Sequence, residues 1–375
     1  MDQRRGLPAM WQMGGSWSGI EFAFMRSRHR LFTAGLAVIT AARADRWLRN
    51  LARGLGIVLM FHHVRPRRNV AFAPNQLLEI TPEFLTTILA ELRREGFDIV
   101  PIAAVPDRLS SNRRARPFAV LTFDDGYRDN VEYAWPIFKQ CGIPWTIFVT
   151  TEFAEGRGRL WWVELEQAIA RLDRVVISRN GEVLSLPSRT LDEKQAAFHA
   201  IYRQLRAGPM ERLRTVTADL ASQAGIISNC LAAEFCLSWD ELQDLAREPD
   251  VTIGAHTLSH PVLTKLHTTA AVREIAESKA LLERQLGRPV RHFAYPFGDR
   301  ISAGEREFRL VRDSGFATAV TSRPGHLFSD HADYLNALPR VSINGLFQNR
   351  AALRALFSGV PFLLWNRGRV AEIET

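Results

Sequence analysis

An α/β fold built on a parallel layer is what this 375-residue sequence predicts, on three observations. A helix, a glycine and an apolar strand follow one another three times: Pro82–Glu95, Gly96 and Phe97–Val100; Tyr133–Gln140, Gly142 and Trp145–Thr150; Ala303–Asp313, Gly315 and Phe316–Val320. A glycine just past a helix supplies the left-handed residue that ends it, and continuous apolar runs are what strands buried on both faces require. The apolar run Pro117–Phe123 then stops abruptly at Asp124-Asp125-Gly126, a tight turn at the C-terminal end of a strand, where α/β folds place their chemistry. Between about 155 and 235 the pattern breaks, and that block reads as an insertion into the α/β domain.

Taken in order, residues 1–24 are rich in Gly, Trp and Met and read as disordered, or as an extension upstream of a start at Met25. Arg26, Arg28 and Arg30 precede a 12-residue apolar stretch, Leu31–Ala42, which is too short to span a bilayer. The basic-then-apolar order is that of a signal peptide, but Arg43, Asp45 and Arg46 follow at once. With Trp47, Leu48 and Leu51 the segment fits an amphipathic helix, docked on the domain or lying on a membrane surface, a cleaved signal being the alternative. Residues 1–53 are thus expected to be an extension with an amphipathic helix, 54–345 the α/β domain, and 346–375 a helix and tail. Within the domain, Ile57–Phe61 is an apolar run ending in His62-His63. Thr81 caps a helix whose apolar face is Phe84, Leu85, Ile88, Leu89 and Leu92. In the insertion, Val175–Leu186 reads as a hairpin turning at Arg179-Asn180-Gly181, and Thr190–Leu205 and Met210–Ala224 as amphipathic helices. Ser238-Trp239-Asp240-Glu241 is a capping box, after which Val251–Gly254 is a strand.

Composition excludes several classes. The formal net charge is +8, and nine arginines stand against three carboxylates (Asp2, Glu21, Asp45) in residues 1–53. A diffuse arginine excess suits anionic lipid or polymer, but no basic run is interleaved with aromatics as a nucleic-acid groove requires. The three cysteines, Cys141, Cys230 and Cys236, have no C-x-x-C spacing, which argues against a disulfide framework or a structural zinc site.

Two adjacent carboxylates on a fixed turn repel each other unless something uses the charge, and a metal on one with a proton on the other resolves the conflict. The second signal follows another strand, in Gly254-Ala255-His256-Thr257-Leu258-Ser259-His260-Pro261. Histidines four apart on one face of a helical turn can reach one ion. With one carboxylate of the Asp pair they make three ligands with open positions, the catalytic rather than the structural pattern. The third is Arg291-His292-Phe293-Ala294-Tyr295-Pro296-Phe297-Gly298, either a packed aromatic corner or a groove wall for the apolar faces of sugar rings. Trp161-Trp162 poses the same choice. Arg340 reads as a structural salt-bridge former, and Lys265 and Arg128 as surface charge.

In this order, Thr122-Phe123-Asp124-Asp125-Gly126, His256-Thr257 through His260, and Phe293-Ala294-Tyr295-Pro296-Phe297-Gly298 resemble the polysaccharide deacetylases, a carbohydrate esterase family sharing the nodulation-type chitooligosaccharide deacetylase domain. Met60-Phe61-His62-His63-Val64 and Leu338-Pro339-Arg340-Val341 match more weakly, and the likeness runs from about 56 to 345. The resemblance implies a distorted (β/α) barrel, often of seven strands, here carrying the helical and hairpin insertion. It implies metal-dependent removal of N-acetyl groups from an amino-sugar polysaccharide or oligosaccharide, by attack of a metal-bound water on the acetamide carbonyl. Asp125, His256 and His260 would hold the divalent metal, usually zinc, and Asp124 would be the base. Backbone N–H groups near Tyr127 would serve the oxyanion, and Tyr295 and Pro296 would line the substrate. Two departures stand out. The arginine that orients the base in many members falls at Ala294, and the late Leu-x-His that supplies the general acid is missing. The branch with a Phe-Ala-Tyr-Pro-Phe-Gly motif has a histidine at the end of the first strand, which points to His62, and less to His63, as the acid. An amidase or O-deacetylase on the same scaffold, or an inactive sugar-binding relative, are the rival readings. The expected partner is an N-acetylated carbohydrate, with no nucleic acid, and with peripheral membrane contact through residues 26–53. A cytoplasmic, membrane-associated location is expected, the periplasm being the alternative.

Overall fold

Seven apolar runs pair side by side in parallel and close on themselves in a computed structural model that describes residues 32–110, 116–179 and 182–366. They are β1 (Gly56–Phe61), β2 (Phe118–Phe123), β3 (Trp145–Val149), β4 (Val251–Ala255), β5 (His292–Ala294), β6 (Thr318–Pro324) and β7 (Leu338–Ser342). Each pairs with the next, and β7 and β2 both pair with β1, so the sheet is a barrel without an open edge. A two-residue strand, Asp98–Ile99, lies against β2 outside the ring. The α/β and barrel expectations therefore hold.

Alternation along each strand sorts the core. Ile57, Leu59, Ala119, Leu121, Ile147, Val149 and Ile253 pack outward with the helices, while Val58, Val120, Phe148, Ala294, Val320 and Leu338 form a separate inner cluster. Gly254 makes room for that filling: a Cβ there would lie 2.5 Å from the Phe148 ring. The helix Pro82–Arg94 is capped as expected, Thr81 Oγ1 accepting from the Phe84 N–H, and Ser238 and Glu241 close the capping box before Trp239–Ala246.

The insertion has its own apolar cluster. Helices Trp161–Arg171, Leu191–Ala207 and Met210–Gln223 and the antiparallel hairpin Arg174–Arg179/Glu182–Pro187 bury Leu165, Ile169, Val175, Phe198, Ile201 and Leu220 together. Two residues expected to be surface charge tie it to the barrel. Arg128 forks onto the Glu241 carboxylate and donates to the Ala233 and Glu234 carbonyls, and Lys265 donates to the Arg206 and Gly208 carbonyls. The three cysteines are free thiols, Cys236 buried and the other two exposed. Among the described residues no helix is long and apolar enough to cross a membrane. The readings of residues 1–24, of Arg26, Arg28 and Arg30, of the Asn180-Gly181 turn and of the tail beyond 366 lie outside the described residues.

Candidate metal and hydrolytic site

Closing the barrel brings the C-terminal ends of β1, β2, β4, β5 and β7 to one rim. Backbone bonds fix the stagger: the Asp124 N–H donates to Phe61 O (3.0 Å) and the His256 N–H to Val149 O (2.9 Å). There the ligand atoms of Asp125, His256 and His260, all buried, lie within 4.8 Å of one another. His256 Nδ1 donates to Ala294 O at 2.7 Å, which fixes its tautomer and leaves the Nε2 lone pair facing Asp125. Asp125 Oδ1 is 3.4 Å from His256 Nε2 and 3.3 Å from His260 Nε2, yet it has no aligned hydrogen bond. A buried carboxylate oxygen facing two imidazole nitrogens without a hydrogen bond is costly. One divalent cation in that space satisfies all three, and the donor set suits it. Burial opposes charge on Asp125, but the neighbouring imidazoles outweigh it and hold its pKa well below the ordinary carboxylate value.

The loop geometry differs from expectation. The histidines are not on a helical turn: residues 256–261 are irregular, with Thr257 at φ 67° and His260 at φ 58°. Pro261 disfavours the right-handed helical region for His260, so a helical turn does not continue through it. Asp125 (φ 73°) and Phe297 (φ 61°) are also left-handed, so four of the five non-glycine residues with positive φ among those described surround this site. Such backbone costs about 1–3 kcal/mol each and persists only where the surroundings enforce it. Part of that enforcement comes from Glu274, on the helix Thr268–Leu286. Its carboxylate accepts from the Leu258 N–H (3.0 Å), the Ser259 N–H (2.9 Å) and Ser259 Oγ (2.7 Å). Thr257 Oγ1 accepts from the His260 N–H at 3.0 Å.

Asp124 has the partner that the third motif lacks. Arg340, on β7 and 1 % exposed, donates through both terminal nitrogens to the two Asp124 oxygens, at 2.8 and 2.7 Å. Its Nε donates to Thr321 O (2.7 Å), and Nη1 donates to Thr122 Oγ1 (3.2 Å) as well, so the fork cannot swing away. Burial alone would raise the Asp124 carboxyl; the Arg340 charge and hydrogen bonds reverse this and hold it below the ordinary value. Arg340 forms a buried salt bridge, as expected, and its partner is Asp124.

The adjacent histidines separate clearly. His63 is buried, 2.6 Å from Asp129 through Nδ1, with its ring stacked on Tyr127 at 3.6 Å. His62 is half-buried and senses both site carboxylates: burial pushes its pKa below the ordinary imidazole value, and Asp125 and then Asp124 pull it back up. The Tyr127 side chain is buried, its hydroxyl accepting from Trp162 Nε1 at 3.1 Å. Tyr127 also bridges Cys236, but through the Arg128 and Leu237 N–H groups, which leaves its own N–H turned away from that bridge.

One group of expected residues is corrected. Tyr295 and Pro296 do not line a groove: both are buried, and the Tyr295 hydroxyl donates to Asn336 O at 2.8 Å within an aromatic cluster of Phe293 and Phe308. Phe297, next in sequence, faces the site instead, 4.8 Å from the His260 ring, with the Arg206 guanidinium 3.7 Å over its face. Trp161 and Trp162 are core residues, although Trp162 packs 5.0 Å from His260. A cavity of about 520 Å³ opens beside His260 toward the insertion, lined by Trp161, Met210, Leu213, Arg214, Ser259 and Arg273 among others.

This geometry defines a closed parallel barrel with a candidate metal centre on its rim. The sequence profile described as Polysaccharide deacetylase matches residues 111–309, and the chain belongs to that family, whose members are hydrolases of carbohydrate acetyl groups. No curated protein matches it. Among solved structures it is similar to the Streptococcus pyogenes deacetylase PplD in complex with acetate, with 18 % identity over 77 % of this chain and 92 % of that one and a TM-score of 0.51. It is also similar to IcaB from Ammonifex degensii, with 18 % identity over 82 % and 97 % and a TM-score of 0.50. At such identities the likeness is one of fold.

Proposed function

We propose that this chain removes N-acetyl groups from an amino-sugar polysaccharide or oligosaccharide, with Asp125, His256 and His260 holding a divalent ion, zinc by the nature of the two imidazoles and one carboxylate. The observation that carries the reading is the pairing of two carboxylates in different states of use. Asp125 faces two imidazole nitrogens, and its neighbour Asp124 is clamped by Arg340. A binding module has no need of an oriented, ionised carboxylate beside a metal ligand. When bound, the ion would polarise the acetamide carbonyl and make water more acidic.

Asp124 is the base. It is kept ionised and aimed by Arg340, and its remaining lone pairs accept the proton of the attacking water as the carbon–oxygen bond forms. The Tyr127 N–H, turned away from Cys236, is the candidate donor to the developing oxyanion. His62 is the acid that protonates the amine as the carbon–nitrogen bond breaks, so that acetate and a free amino sugar leave. Burial outweighs the upward pull of the two carboxylates and holds its pKa below the ordinary imidazole value, so the protonated ring gives up its proton readily. Phe297 offers an apolar face to the sugar ring.

Metal-loaded protein should release acetate from N-acetylglucosamine oligomers and not from O-acetylated oligosaccharides or simple aliphatic amides. His62→Ala should slow that release by about 10²–10⁴-fold while sparing an aryl acetate, whose leaving group needs no proton. Release confined to O-acetyl or non-sugar substrates would replace this reading with an esterase or amidase on the same scaffold.

A further inference from the structure

The stretch before β1 has two unlike faces. Leu36, Ile39 and Ala52 are buried in the main core. Arg49 and Arg53 bind Glu95, and Arg53 lies 4.1 Å over the Phe97 ring, so the segment is fixed to the barrel. Its other face is open: Trp47 is 82 % exposed, Val38 and Leu51 64 % each and Leu48 44 %. Between 32 and 53 every exposed position is apolar or glycine except Arg43, Arg46 and Asn50, and no carboxylate is among them because Asp45 is buried. A helix face turned to water normally carries mixed charge. Neither Arg43 nor Arg46 has an ion-pair partner among the described residues. The left-handed Arg43 (φ 56°) breaks the helix that runs through residue 41, before the short helices Ala44–Trp47 and Arg49–Ala52.

We propose that this face docks on an anionic membrane surface, with Trp47, Leu48 and Leu51 entering the headgroup boundary and Arg43 and Arg46 meeting lipid phosphates. Indole and leucine side chains beside uncompensated arginines, with no acid to be repelled, complement a negatively charged interface. The geometry also orients the enzyme. Ala52 lies just before the start of β1, and Glu95, which holds Arg49 and Arg53, just before Asp98–Ile99, so the face is at the N-terminal end of the strands. Asp124, Asp125 and His256 are at the other end. A chain docked in this way turns its site away from the bilayer, toward polymer extending from the surface.

The test is flotation of the full chain with phosphatidylcholine vesicles and with vesicles containing phosphatidylglycerol, a readout independent of any activity. Binding to the anionic vesicles alone is expected. Arg43→Gln with Arg46→Gln should weaken it by about 30-fold, two basic residues at the electrostatic strength of such contacts. Trp47→Ser with Leu51→Ser should abolish it, with an unchanged thermal unfolding midpoint because both side chains are exposed. Equal binding to both vesicle types, or binding that survives the Trp47/Leu51 variant, would overturn the proposal. So would light scattering that shows the face occupied by a second copy, dissociated by the same variant.

Discussion

At Asp124 and Arg340 two opposite charges are almost wholly withdrawn from water, 3 % and 1 % exposed. Such a pair adds little net stability over an apolar pair of the same size, because desolvation offsets the attraction, but removing one partner leaves the other buried and uncompensated. Arg340→Ala should therefore lower stability by about 3–5 kcal/mol, read as a fall in the denaturation midpoint. Arg340→Lys is the more informative change. It keeps the charge but not the planar fork, so Asp124 stays ionised and loses its aim. A kcat reduced by about 10²-fold with KM little changed is expected for a misplacement of this kind. An unchanged kcat would show that the fork has no part in positioning. Sequence gave no local sign of this contact: the partners are 216 residues apart, and a lone arginine on an apolar strand reads equally well as a structural pair. The adjacent carboxylates were legible because charge clustered on a turn is visible locally.

Among the elements, the loop from His256 to Pro261 shows what periodicity can and cannot reveal. A spacing of four correctly brings two imidazoles together, but the means is two left-handed residues before a proline, not a helical turn. Periodicity carries no record of positive φ at non-glycine positions. The same limit explains Tyr295 and Phe297. An aromatic run past a strand marks a corner, but the left-handed Phe297 decides which ring turns to the site and which to the core. Glu274, which contacts neither ligand, helps to hold the loop in this shape. Glu274→Ala should weaken metal binding by about 10–100-fold, the usual effect of losing an outer-shell support. Competition with a chelator measures this directly, and an undiminished affinity would show that the loop holds its shape without the anchor. The repeated helix-glycine-strand segments, in contrast, were fully readable, since Gly96, Gly142 and Gly315 all take the left-handed conformation that ends a helix.

For the whole molecule, the sequence revealed the α/β layer and the insertion, while barrel closure entered only through family resemblance, because nothing local in β7 says that it pairs with β1. Closure is also what brings Arg340 to Asp124. Two buried histidines give the fold a pH signature. Burial, with a smaller push from Arg291, lowers His292 to about 4; burial, partly offset by the bond to Leu356 O, lowers His326 to about 4. Above an unfolded-chain pKa of about 6.5 neither state binds these protons. As the pH falls from there toward 4, only the unfolded chain takes them up, and stability drops by up to about 3 kcal/mol per histidine. His326→Gln can still donate to Leu356 O and accept from the Gly54 N–H, the two bonds that His326 makes. Urea denaturation at pH 7 and pH 5 should show a smaller loss for this variant than for the parent, and equal losses would contradict the assignment. If Asp125 serves the metal and Asp124 the proton, Asp124→Asn separates the two roles. Metal content and acetate release from N-acetylglucosamine oligomers are measured on the same sample, and full metal occupancy with release abolished is expected. Release that persists, or metal lost along with it, would contradict the division.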